Sequence, residues 1–239
     1  GAFLRYESRR HDPFIDLRFF RSIPFTAATV TAVSAFAAWG AFLFMMSLYL
    51  QAERGYSAMH TGLIYLPIAL GALLFSPLSG RLVGRFGARP SLVAAGTLIT
   101  AASAMLTFLT ATTPVWELLV VFTVFGIGFS MVNAPITNAA VSGMPLDRAG
   151  AASAVTSTSR QVGVSIGVAL CGSVAGSAMA TAGTDFATAT RPLWFICVGL
   201  GLVILALGLY ATSRRGLRSA ELLVPLISGS PAGERARVR

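Results

Sequence analysis

Arg160 and Gln161 are the residues whose placement first asks for an explanation. They lie inside a long apolar stretch, and an arginine at membrane depth needs a partner, a wet cavity or a route to the interface. One reading makes Arg160 a cavity or gate residue that meets an anionic group, loop carbonyls or substrate. The other makes it an anchor whose long stem carries the guanidinium back to the cytoplasmic interface. Asn133 and Thr137 stand four residues apart around Pro135, so they share a helix face, and the proline frees one helical carbonyl. Such a pair can line a cavity or make interhelical hydrogen bonds. Phe36, Trp39, Phe42, Met46 and Tyr49 suit a poorly selective pocket for bulky lipophilic or cationic compounds, through π faces and adaptable thioether contacts. They suit ordinary packing and lipid contact equally. Catalysis finds no comparable candidates: there is no Ser-His-Asp set and no phosphate-binding loop. His11 and His60 stand outside ligand-like spacing, and Cys171 and Cys197 fall in apolar segments, which argues against a zinc site or a disulfide framework. Neither an enzyme nor a metal or cofactor site is expected.

The elements that carry these residues are membrane helices. The chain is 55% hydrophobic and only 11% charged, far below the quarter or so of charged residues in soluble domains. Six apolar segments, at about 26–50, 58–79, 90–111, 115–138, 151–178 and 191–212, each approach the ~20 residues that cross ~30 Å of hydrocarbon. The predicted fold is an all-α membrane protein with a six-helix bundle over 23–212. An amphipathic segment, 1–22, is expected to lie on the cytoplasmic surface. A basic tail, 213–239, interrupted by Pro, Gly and Ser, is expected to be disordered. Residue 1 is Gly, and no signal-peptide pattern precedes the first apolar run. The chain therefore reads as a piece of something longer.

Topology follows from the arginines. Arg81, Arg85 and Arg89 sit in the short stretch 76–90 without an acidic partner, and burial near the bilayer centre costs about 2.5–3.5 kcal/mol each. They belong in water, on the cytoplasmic side by the positive-inside rule. Gly80, Gly84 and Gly87 are read as the turn and Pro90 as the start of the next helix. With that loop inside, all basic residues except Arg54, Arg191 and the intramembrane Arg160 fall on one side, and both termini are cytoplasmic. The net charge of +9 is then a membrane-loop pattern, and no nucleic-acid partner is expected.

These stretches resemble the second half of a major facilitator superfamily transporter of the fourteen-span drug:proton antiporter type (EmrB/QacA). GRLVGRFGARP at 80–90 resembles the superfamily's loop signature, with Gly80, Leu82, Arg85, Gly87 and Arg89 in register. Gly84 and Ala88 replace its acidic and first basic positions, two departures in the charge relay that the family places there. DPFIDLRFF, SLYLQAERGYSAMHTGLIYLPIALG and DRAGAASAVTSTSRQVGVSIGVAL also read like this family, so the likeness covers roughly 12–180. The resemblance implies a C-terminal half that rocks against a missing N-terminal half, built from two inverted three-helix repeats. Its first, second, fourth and fifth helices would border the substrate path, with the third and sixth facing lipid. It implies proton-coupled export of lipophilic or cationic small molecules across the plasma membrane, with the coupling carboxylate in the absent half. Gly163, Gly167, Gly172 and Gly176 form two small-xxx-small pairs in the fifth segment, read as helix-packing surfaces. Two other readings remain at this point: a truncated fragment that moves nothing, and a half-size carrier that dimerises.

Overall fold

The computed structural model describes residues 23–141, 146–180 and 186–211; the amphipathic segment 1–22 and the basic tail 213–239 lie outside them. Six long helices make the fold: α1 (Ile23–Leu48), α2 (Ala58–Phe86), α3 (Ala88–Leu106), α4 (Val115–Val141), α5 (Leu146–Ala180) and α6 (Arg191–Ala211), with one short turn of helix at Phe186–Ala189. The fold is an all-helical membrane bundle. Four of the described helices, α1, α2, α4 and α6, are long and apolar enough to cross a bilayer by themselves. In α3 and α5 the Arg, Ser, Thr and Gly content lowers the apolarity, and both are held by packing against helices that do qualify.

Pairing follows a simple rule. α1 packs on α5, α2 on α4, α3 on α6 and also on α4, while α1 touches α4 and α6. Exchanging the first three helices for the last three maps this set of contacts onto itself. That pattern matches two three-helix units related by a pseudo-twofold axis.

Glycine builds the closest of these contacts, because helices in lipid gain little from burying apolar side chains and associate by close backbone approach. A Cβ on Gly163 would meet the backbone of Val33, and one on Gly167 the carbonyl of Ala37. Across α3 and α6, Gly96 and Gly201 lie against the backbones of Leu205 and Thr100. Gly172 and Gly176 make no such contact within the described bundle, since both are exposed and a Cβ there would meet none of the described residues. The reason is phase. Nine residues separate Gly163 from Gly172 and Gly167 from Gly176, which turns the second pair about 180° round the helix from the first.

The turn at 76–90 is also tighter than its sequence suggests. Helix α2 runs unbroken through Gly80 and Gly84 to Phe86, and Gly87 alone joins it to α3. Its φ of 76° with ψ near −177° is a region that only glycine occupies readily.

Pro135 fixes the end of the bundle where this turn lies. The proline has no N–H to give the carbonyl of Met131, one helical turn back. The hydroxyls of Ser79 and Ser91 stand 3.0 and 2.9 Å from that oxygen and 2.7 Å from each other. Two hydroxyl protons are thus shared over three short contacts. The freed carbonyl ties α2, α3 and α4 together.

Candidate functional site

An aromatic column runs along α1 and α4. Trp39 stacks on Phe129 at 4.2 Å between ring centroids, Phe36 meets the edge of Phe129 at 5.1 Å, and Phe42 stacks on Phe125 at 4.1 Å. The spacing Phe122, Phe125, Phe129 puts three rings of α4 on one face, and their contacts with Phe42, Trp39 and Phe36 set the α1–α4 register. Sequence reasoning picked out the α1 rings and missed their α4 partners, although the i, i+3, i+7 spacing was there to find.

Arg160 ends this column. Its Nη2 donates to Thr137 Oγ1 at 2.9 Å, and the guanidinium carbon lies 5.5 Å from the centre of the Phe36 ring. Thr137 in turn donates to the Asn133 carbonyl at 3.0 Å, which leaves an oxygen lone pair facing the arginine. The Nε of Arg160 is shielded from solvent and has no acceptor among the described residues. The structure therefore brings Phe36, Trp39, Asn133, Thr137 and Arg160 together at one end of the α1–α4–α5 junction. Asn133 joins weakly, its amide nitrogen 3.5 Å from the Phe129 carbonyl, and Gln161 is exposed.

Phe42, Met46 and Tyr49 do not join this group. All three are fully buried in the interior of the half-bundle, because their side of α1 faces α4 and α6 rather than an open surface. Tyr49 has a separate task. Its hydroxyl donates to the Thr110 carbonyl at 2.6 Å, at the start of a π-helical turn, Tyr49–Glu53, closed by Arg54 N–H to the Tyr49 carbonyl. Arg54 then reaches the carbonyls of Ala111 and Thr113 at 3.1 and 2.7 Å and the Tyr56 hydroxyl at 3.0 Å. Burial works against its charge, but the hydrogen bonds to Tyr56 and Tyr49 outweigh that cost and favour the charged form. The sequence marked Arg54 only as an outside charge; here it clamps the α3–α4 loop.

Cation binding through the α1 rings meets an obstacle. One π face of each ring expected to receive a cation is already engaged: Arg160 takes Phe36, Phe129 takes Trp39, and Phe125 takes Phe42. At the loop motif, Arg81, Arg85 and Arg89 are exposed, as are Gly80 and Gly87, while Leu82 is partly buried against the core.

Six long helices paired by a twofold rule, four of them able to span a bilayer alone, define a multi-pass membrane protein. The family is settled by comparison: the Major Facilitator Superfamily profile matches residues 3–168, and the chain belongs to that superfamily. It is 36% identical over 174 residues to the multidrug resistance protein Stp of Mycobacterium tuberculosis, covering 73% of this chain and 32% of that protein. It is 35% identical to the tetracenomycin C resistance and export protein of Streptomyces glaucescens, covering 72% and 32%. A methylenomycin A resistance protein of Streptomyces coelicolor is 32% identical over 83% of this chain and 40% of its own length. The chain thus spans between about a third and two fifths of these relatives.

Proposed function

We propose that this chain is the C-terminal half of a secondary exporter of the EmrB/QacA type, which moves lipophilic small molecules out across the plasma membrane by rocking against an N-terminal half. The observation that carries the reading is the superfamily match to relatives that are much longer and are named for drug resistance or antibiotic export. The outer faces of the bundle support it. On α5 the exposed residues include a polar row, Ser153, Ser157, Gln161 and Ser165, flanked by the exposed Val162 and Ile166. On α2 the exposed side carries Leu63, Leu66, Leu70, Leu73 and Leu74. A polar row on one helix and an apolar one on its symmetry mate are what a path wall and a lipid or protein wall require.

The energy source in this reading is the proton gradient, with the coupling carboxylate outside this chain. A half-size dimeric carrier would have to pair through Gly172 and Gly176, since Gly163 and Gly167 are already used inside the bundle.

The test is accumulation of a fluorescent lipophilic compound in cells that make the full-length protein, with and without an uncoupler. Export that stops when the gradient collapses is the expected result. Export by this chain without any further half would favour the dimer, and gradient-independent export would remove the proton from the account.

A further inference from the structure

We propose that Arg160, with Phe36, Trp39 and Thr137 around it, is a subsite for the acidic group of a lipophilic monoanion, an apolar or aromatic compound carrying one carboxylate. This rests on the exporter reading and deepens it by assigning a charge class to the substrate.

The guanidinium is under-used where it stands. It carries five N–H donors; one goes to a neutral hydroxyl, one face rests on Phe36, and Nε is shielded without an acceptor among the described residues. A hydroxyl does not neutralise a cation. The described carboxylates, Glu53 and Glu117, stand near the opposite end of the bundle. Asp147 precedes Arg160 on the same helix but lies about 20 Å back along its axis. A carboxylate ligand supplies what is missing, since a planar oxyanion accepts from the guanidinium fork through two parallel bonds.

The surroundings fit the rest of such a molecule. Phe36 and Trp39 are only partly buried and Thr137 is exposed, so an apolar body can lie against the accessible parts of the rings while Thr137 flanks the acid. A cationic ligand meets the opposite conditions. One face of each ring is already taken, and a second positive charge a few ångströms from Arg160 would weaken binding on the order of a hundredfold at the effective dielectric of a protein site.

Three probes with one ring system separate the possibilities: naphthoate, naphthylmethanol and naphthylmethylammonium, titrated against the full-length protein in proteoliposomes. Trp39 fluorescence reports locally, and a Trp39→Phe variant gives the background from the other tryptophans. The wild type should bind naphthoate at least about tenfold more tightly than the alcohol, with the ammonium weakest. Arg160→Gln should lose about ten- to a hundredfold in naphthoate affinity and leave the alcohol within about twofold. Arg160→Lys keeps the charge without the fork and should fall between them; it carries the test if the glutamine variant does not fold.

Equal binding of the three probes by the wild type, or naphthoate affinity unchanged in both variants, would overturn the subsite. So would no naphthoate binding combined with a lowered melting temperature in Arg160→Gln, which would show the charge paired with a carboxylate elsewhere in the protein. Export of a neutral dye from the same vesicles tests the underlying reading separately. Arg160-dependent naphthoate binding without any export leaves the subsite standing and removes the exporter.

Discussion

Ser79 and Ser91 show how a single missing hydrogen sets the structure around it. Pro135 takes one donor out of α4, and two hydroxyls from two other helices converge on the carbonyl of Met131 that it leaves. Replacing both serines by alanine should leave that buried carbonyl unpaired and cost about 1–3 kcal/mol. In a Pro135→Ala background the helix supplies its own N–H, so the same double change should cost much less. A thermal-melt double-mutant cycle in detergent reads the difference, and equal losses in both backgrounds would dissociate the serines from the proline. The sequence announced the freed carbonyl through Pro135 but not its partners, because Ser79 and Ser91 become neighbours of Met131 only through tertiary packing. Arg160 was legible for the same reason that Pro135 was: each breaks a local rule of membrane helices. Its contacts with Thr137 and Phe36 depend on how three helices dock, and no spacing along one helix encodes that. Gly87 is a further residue-scale test. With φ at 76° and ψ near −177°, Gly87→Ala should cost about 1–3 kcal/mol from backbone strain alone, whereas Gly80→Ala and Gly84→Ala, within a helix and with open space for a Cβ, should be neutral or slightly stabilising.

At the scale of helices, the two small-xxx-small pairs of α5 have the same spacing and different fates. Gly163 and Gly167 face α1 at backbone contact, while Gly172 and Gly176 face outward. Gly167→Leu should push α1 and α5 apart and cost about 1–3 kcal/mol or more, as over-packing does. Gly172→Leu should leave stability within about 0.5 kcal/mol, the usual range for a surface change. Melting of the two variants side by side checks this, and a similar loss in both would mean that the second pair is covered by a part of the protein beyond this chain. Helix existence was readable because six apolar runs have no other way to satisfy their backbones in lipid. Helix ends were less so: the arginine-bearing stretch read as a loop is mostly helix, because glycines spaced through it are tolerated wherever the flanking residues continue the hydrogen-bonded ladder. The phase of the glycine pairs was computable from the sequence, but which side of α5 would meet α1 was not.

For the molecule as a whole, the contacts repeat under exchange of its two halves while the surfaces do not. Helices α2 and α5 occupy equivalent places, yet α2 turns a row of leucines outward and α5 turns out serines and a glutamine beside Val162 and Ile166. In the proposed exporter that asymmetry is the feature that bears most directly on transport, since the α5 surface is the better suited of the two to border water. The most direct measurement is cysteine accessibility in the full-length protein, in membrane vesicles, with a hydrophilic thiol reagent. Cys171 and Cys197 are both buried, so this part of the protein adds little background. Single cysteines at Ser157, Gln161 and Ser165 should react readily and be protected by a transported compound, and cysteines at Leu66, Leu70 and Leu73 should stay unreactive. Silence along α5, or equal reaction on both helices, would contradict the account that this face of α5 borders the substrate path of an exporter.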